Sequence, residues 1–165
     1  MSLAKLQLER YRLGSLAVQF NDAWLALDDE QAGKEEYDCR PEFDVLEGEE
    51  GDFLVSLSLE CAPPAGSRDR CRFTSVAATV WGIFSLAEGT AEEEGQRLVM
   101  HNGVAILHGI VRGLLVSATG GCVGGPFILP AINYVELFRR KAEELEEASA
   151  EEEKAEDTEE GNSEE

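Results

Sequence analysis

The chain has 165 residues, an ordinary apolar share of 43% and a formal charge of −20, from 34 acidic against 14 basic residues. That length holds one core plus a tail, and that charge argues against a binder of duplex nucleic acid or of an anionic membrane, since both need clustered lysine and arginine. The charge is uneven: residues 143–165 contain thirteen acids and one lysine, so this segment carries −12 and the body −8.

The chain begins MSLAKLQLERYRLGS, where Lys5, Glu9 and Arg10 interrupt any apolar run of signal-peptide length. Residues 8–20 follow, with Leu16, Val18 and Phe20 alternating as in a strand. Residues 37–46 read as a weaker strand, because Pro41 lacks a ladder donor and favours an edge or a strand start. In residues 53–59 (FLVSLSL), Phe53, Val55, Leu57 and Leu59 share one face and Ser56 and Ser58 the other, the period-two pattern of a half-buried strand. Residues 72–86 form a long strand with Val76, Ala78 and Val80 on one face, and Gly82 in it predicts a bend or bulge. Turn residues fill the connections at 28–33, 47–52 and 62–69, so the first half reads as an antiparallel sheet of four strands.

The second half is helical. Across residues 104–118, Leu107, Ile110, Val111, Leu114 and Leu115 recur at helical spacing. Ala105, Gly109, Gly113 and Ser117 lie four apart and make a second stripe of small residues, which lets another backbone approach closely. Two partners fit that stripe, the protein's own sheet or a helix of a second subunit. The stretch contains His108 and Arg112 and is too short to span a bilayer. With the absent signal run, this predicts a cytoplasmic chain without membrane insertion. The loop Gly120-Gly121-Cys122-Val123-Gly124-Gly125-Pro126 ends the helix. A last helix opens near Asn133, capped by it with Glu136 three residues on, and carries Val135, Phe138, Ala142 and Leu145 on one stripe. Beyond about residue 150 the stripe gives out, and the Glu-rich remainder has no surface to bury. The expected organisation is one domain over 1–150 and a disordered acidic tail over 151–165.

Chemistry-bearing patterns are scarce. His101 and His108 have no acid or cysteine at metal-ligand spacing beside them, so no metal is expected. The GGCVGGP loop lacks the GK[ST] of a phosphate loop and follows a helix instead of a strand. Cys122 within it has no identifiable base. Cys39, Cys61, Cys71 and Cys122 form no CxxC pair and no dense framework, and read as reduced thiols. No catalytic constellation rises above chance among these patterns, so neither a cofactor nor an enzyme is expected.

Two motifs are more specific. Gly82-Ile83-Phe84-Ser85-Leu86-Ala87 closes the long strand, and Pro126-Phe127-Ile128-Leu129-Pro130-Ala131-Ile132-Asn133-Tyr134 enters the last helix. With a helix ending in Gly-Gly between them and Arg40-Pro41-Glu42 upstream, the chain resembles the SecB family of protein-export chaperones. The resemblance implies an α+β fold, a four-stranded antiparallel sheet with helices packed on one side, assembled as a dimer of dimers. It implies an ATP-independent holdase whose unfolded clients lie in apolar grooves, for which Trp24, Trp81, Ile83, Phe84 and Leu86 are the candidate lining, with ordinary core as the competing role. It also supports Ala105, Gly109, Gly113 and Ser117 as an oligomer interface.

The chain departs from that family where the export ATPase SecA docks on acidic residues of the sheet. The corresponding positions are Ser15, Gln19 and Ala77, none of them acidic. The Pro-containing start of the family's main helix is replaced by Asn102-Gly103-Val104-Ala105-Ile106. Three functions therefore stay open: a general holdase feeding protein export and translocation through SecA; a chaperone dedicated to one or few clients, such as the antitoxin of a toxin–antitoxin pair; and, with the lack of convergent catalytic groups counting against it, an enzyme.

Overall fold

The structure, a computed structural model, describes residues 4–27, 35–48, 51–140 and 142–143. Four strands form one antiparallel sheet: β1 (Leu6–Phe20), β2 (Asp38–Glu47), β3 (Phe53–Ala62) and β4 (Phe73–Leu86), in the order β1-β4-β3-β2. The helical part starts earlier than the 104–118 periodicity indicates. Helix α1 (Glu92–Leu98) runs through a π-helical turn (Val99–Gly103) into α2 (Val104–Thr119). The acids Glu92, Glu93 and Glu94 in the first turn of α1, with Arg97 in its last, suit the helix dipole and mark the start that apolar periodicity alone does not show.

The chain divides into two compact units, Met1–Pro130 and Ala131–Glu165. In the second unit, helix α3 covers residues 134–140. Asn133 caps it, its Oδ1 accepting from the Glu136 amide at 3.3 Å, and Tyr134 stacks on Phe138. The expected boundary between residues 150 and 151, and the tail beyond it, lie outside the described residues.

In the first unit, the alternation of β3 places Phe53, Val55, Leu57, Leu59 and Cys61 in the core, and β4 adds Phe73, Val76, Ala78, Val80 and Phe84. Val104, Leu107, Val111 and Leu115 of α2 are buried over β3 and β4. Gly82 is where the helix comes closest: a β-carbon there would stand 2.8 Å from Leu107 and Phe84 side-chain atoms. The bulge expected at Gly82 is absent, since β4 keeps register there with both neighbours; the irregularities fall at Leu8/Arg10, Leu13/Ser15 and Gln19/Phe20. The missing side chain makes room for α2. The run Glu92–Thr119 spans 28 residues, long and apolar enough by length and composition to cross a membrane, unlike the shorter stretch read from sequence. Val99, Val104, Leu107, Val111 and Leu115 of this run are buried, which accounts for part of that apolarity, while Met100 and Ile106 are exposed.

Edge strand β2 carries Pro41, whose missing donor costs nothing where no neighbour waits. Cys39 lies opposite Cys61 in the β2–β3 ladder, with Cα atoms 4.1 Å apart, and the two are joined by a disulfide. This corrects the reading of four reduced thiols: residues 22 apart in sequence become cross-strand neighbours only once the hairpin registers, and Cys71 and Cys122 alone stay free.

One ion pair ties loops to the sheet. Arg72 meets Glu35 with both carboxylate oxygens at 2.8 Å, and the same guanidinium donates to the carbonyls of Gly124 and Gly125. Gly124 and Gly125 have φ of 83° and 92°, a backbone that glycine adopts without strain. The GGCVGGP loop thus terminates α2 and also closes over Arg72. Beneath it, Phe127 packs edge-on against Phe73 and Tyr37, and the Phe73 amide donates to the Tyr37 hydroxyl.

Candidate functional site

Side chains alternate across a pleat, so register sorts the sheet into two faces. The inner face lies under α2. On the outer face, register aligns Arg10, Ile83, Leu54 and Leu46 in one row and Arg12, Trp81, Ser56 and Asp44 in the next. Beyond these come Ser15, Thr79, Ser58 and Glu42, then Ala17, Ala77, Glu60 and Arg40. No described element covers this face in the first unit. Leu46 is 62% exposed, and Leu54 and Trp81 are each 39% exposed. Large apolar side chains adjoining on one face are the kind of patch that marks a binding surface.

Trp81 is held in place by what lies beneath it. Its ring covers Gly14, where a β-carbon would stand 2.2 Å from a ring carbon. Beside it opens a hollow of about 400 Å³ lined by Arg10, Tyr11, Arg12, Leu54, Trp81 and Ile83. A second hollow, of about 450 Å³, lies between the start of β1 and the helical run, lined by Ala4, Lys5, Leu6, Leu98, Asn102, Ala105 and Ile106.

The five candidate groove residues do not share one place. Trp81 and Ile83 meet at the outer hollow. Phe84, next along the strand, points inward and is fully buried beneath α2. Leu86 packs on α1, where a β-carbon at Gly95 would stand 2.4 Å from it. Trp24 sits in the 3-10 turn Asp22–Ala26 after β1, edge-on to Phe20, with its ring over Gly124. Sequence patterning does not single out Arg10, Tyr11, Arg12 and Leu54, because the pairings of β4 with β1 and with β3 that bring them to Trp81 have no local signature.

The small-residue stripe turns away from the sheet. Ala105, Gly109, Gly113 and Ser117 are all exposed, and a β-carbon at Gly109 or Gly113 would meet nothing within 4 Å. Of the two partners left open by the sequence, the protein's own sheet is therefore not the one. Ser15, Gln19 and Ala77 take up the outer face of β1 and β4, where Gln19 accepts a hydrogen bond from Ser75. They form a neutral strip.

On the opposite side of α2, His108 is buried, which pushes its imidazole below the usual range; the nearby Arg112 adds to this, and a hydrogen bond to the Pro130 carbonyl partly offsets it.

No family model and no curated protein matches the chain. Among solved structures, it is similar to the Mycobacterium tuberculosis SecB-like chaperone Rv1957 in complex with a ChAD peptide from the Rv1956 HigA1 antitoxin. The TM-score is 0.56 at 18% identity, covering 78% of this chain and 91% of that one. A protein of unknown function from Streptococcus agalactiae also aligns, with a TM-score of 0.41 at 15% identity over 79% of this chain and 100% of that one. The first likeness shows the fold: a four-stranded antiparallel sheet with its main helix on one side, as in a SecB-like chaperone.

Proposed function

We propose that the chain is a SecB-like holdase that binds unfolded polypeptides in the cytoplasm without ATP and works as a dimer of dimers. One observation carries the reading: a chain with the fold of a SecB-like chaperone presents Leu46, Leu54, Ile83 and Trp81 across three neighbouring strands, on a sheet face that no described element of the first unit covers. An unfolded chain exposes apolar side chains and free backbone groups, and such a face shields them without demanding a sequence. The exposed stripe of Ala105, Gly109, Gly113 and Ser117 supports a helix-to-helix contact between subunits.

Two observations favour a chaperone of one or few clients over a general export factor. The structural neighbour was solved with a peptide of an antitoxin. In addition, the strip of Ser15, Gln19 and Ala77 lacks the carboxylates that would give a basic partner such as SecA charge-assisted bonds of fixed geometry. The protein should suppress aggregation of a chemically denatured client at comparable molar ratio with no nucleotide present. A requirement for ATP, or no suppression with any unfolded chain tried, sinks the holdase. Calorimetry against the SecA C-terminal peptide should show no binding. Tight binding lost on mutation around Ser15 and Gln19 restores the export role.

A further inference from the structure

We infer that the outer-face hollow selects clients by charge, and that its occupant is an extended polypeptide segment in which carboxylates flank an apolar or aromatic residue. The inference rests on the polypeptide-binding reading and adds to it the chemical class of the client. In a body whose net charge is −8, the mouth of this hollow carries two arginines, Arg10 and Arg12, one residue apart on β1. Neither is in an ion pair among the described residues.

The carboxylate next to them in sequence is turned to a serine, and the one in the same row is distant. Glu9, next to Arg10, accepts a hydrogen bond from Ser85. Asp44 shares the row of Arg12 but stands three strands away, about 14 Å at ordinary strand spacing and beyond the screening length at about 0.1 M salt. Leu54, Ile83 and the Trp81 ring form the apolar floor between. A strand's side chains repeat on one face every second residue. An extended client laid across this face can therefore set an apolar residue on Trp81 and a carboxylate two positions away on an arginine. A basic client meets like charge at the same spot, and the rest of the acidic body attracts it with no such register.

Fluorescence anisotropy on the full chain tests this with labelled unfolded peptides. One alternates glutamate with leucine and phenylalanine, a second has glutamine and a third lysine in place of glutamate, and a fourth is residues 143–165 of this protein. The glutamate peptide should bind about tenfold more tightly than the glutamine peptide, as two exposed charge pairs can supply, and the margin should shrink in about 0.3 M salt. The double variant Arg10→Glu/Arg12→Glu should lose that margin and prefer lysine, while Arg10→Lys/Arg12→Lys keeps it; both positions are exposed, and circular dichroism checks that the fold persists.

Equal binding of the first three peptides, or a margin unmoved by the charge reversal, overturns charge selection and leaves the holdase standing. Binding of none removes both. If the 143–165 peptide, with thirteen acids and no aromatic residue, binds as tightly as the glutamate peptide, the apolar half of the inference falls and the chain's own terminus becomes the occupant.

Discussion

Three glycines of this chain fall into two opposite kinds, and the difference is what a methyl group would meet. At Gly82 it would stand 2.8 Å from Leu107 and Phe84 side-chain atoms; at Gly109 and Gly113 it would meet open space. Gly82→Ala should therefore destabilise the fold by about 1–3 kcal/mol through overpacking. Gly109→Ala and Gly113→Ala should each stabilise the isolated subunit by about 0.5–1 kcal/mol, the ordinary helix gain of alanine over glycine. Urea unfolding at low protein concentration reads all three, and a loss at Gly113 would mean its surface is already covered there. His108 makes a pH prediction. Its folded pKa is depressed, chiefly by burial, so below the unfolded value of about 6.5 the unfolded chain binds the extra proton first. The contribution to stability is thus present above that value and declines as pH falls toward the folded pKa. The melting temperature of His108→Gln should fall less than that of the wild type between neutral pH and about pH 5.5. Equal falls would show that His108 is not a source of the acid sensitivity.

At the scale of elements, the hairpin β2–β3 is doubly closed, by its ladder and by Cys39–Cys61. Thiol titration of the denatured, unreduced chain should count the two free cysteines, Cys71 and Cys122, and reduction should add two more. Four thiols before reduction would remove the bridge. The strands themselves were legible because β3 and β4 alternate cleanly, and Pro41 marked β2 as an edge. Helix α1 was not, because its signal is electrostatic: three glutamates open seven residues that contain little apolar periodicity. The candidate site was legible only in part. Trp81 and Ile83 stand one apart on the strand face that alternation assigns outward, whereas Phe84 belongs to the opposite face of the same pleat. The arginines are not legible in the sequence, because the alignment of Arg10 with Ile83 and Arg12 with Trp81 depends on the bulges of β1. A one-residue slip would turn them to the other face, and nothing local in the sequence fixes such irregularities.

For the whole molecule, assembly is the property most open to test. If the stripe on α2 packs against its copy, Gly109→Leu and Gly113→Leu should lower the mass seen by light scattering to that of a smaller species, while the alanine variants stay intermediate. A wild-type mass of one subunit, 18.0 kDa, would end the oligomer proposal. The sheet order carries a further consequence, for the order of events in folding. Strands β2, β3 and β4 are joined in sequence, but β1 pairs with β4 across the whole interval from Leu6 to Leu86. Closing so long a loop costs about 2 kcal/mol more than closing a hairpin, so β1 should dock last, and pulsed hydrogen exchange during refolding should find its amides protected after those of β3. On the ribosome the first strand made would then wait as a free segment until Leu86 has emerged. The open edge of β4 is meanwhile a vacancy that β1 of another nascent copy can fill, and crowded synthesis would yield exchanged dimers that dilute refolding does not.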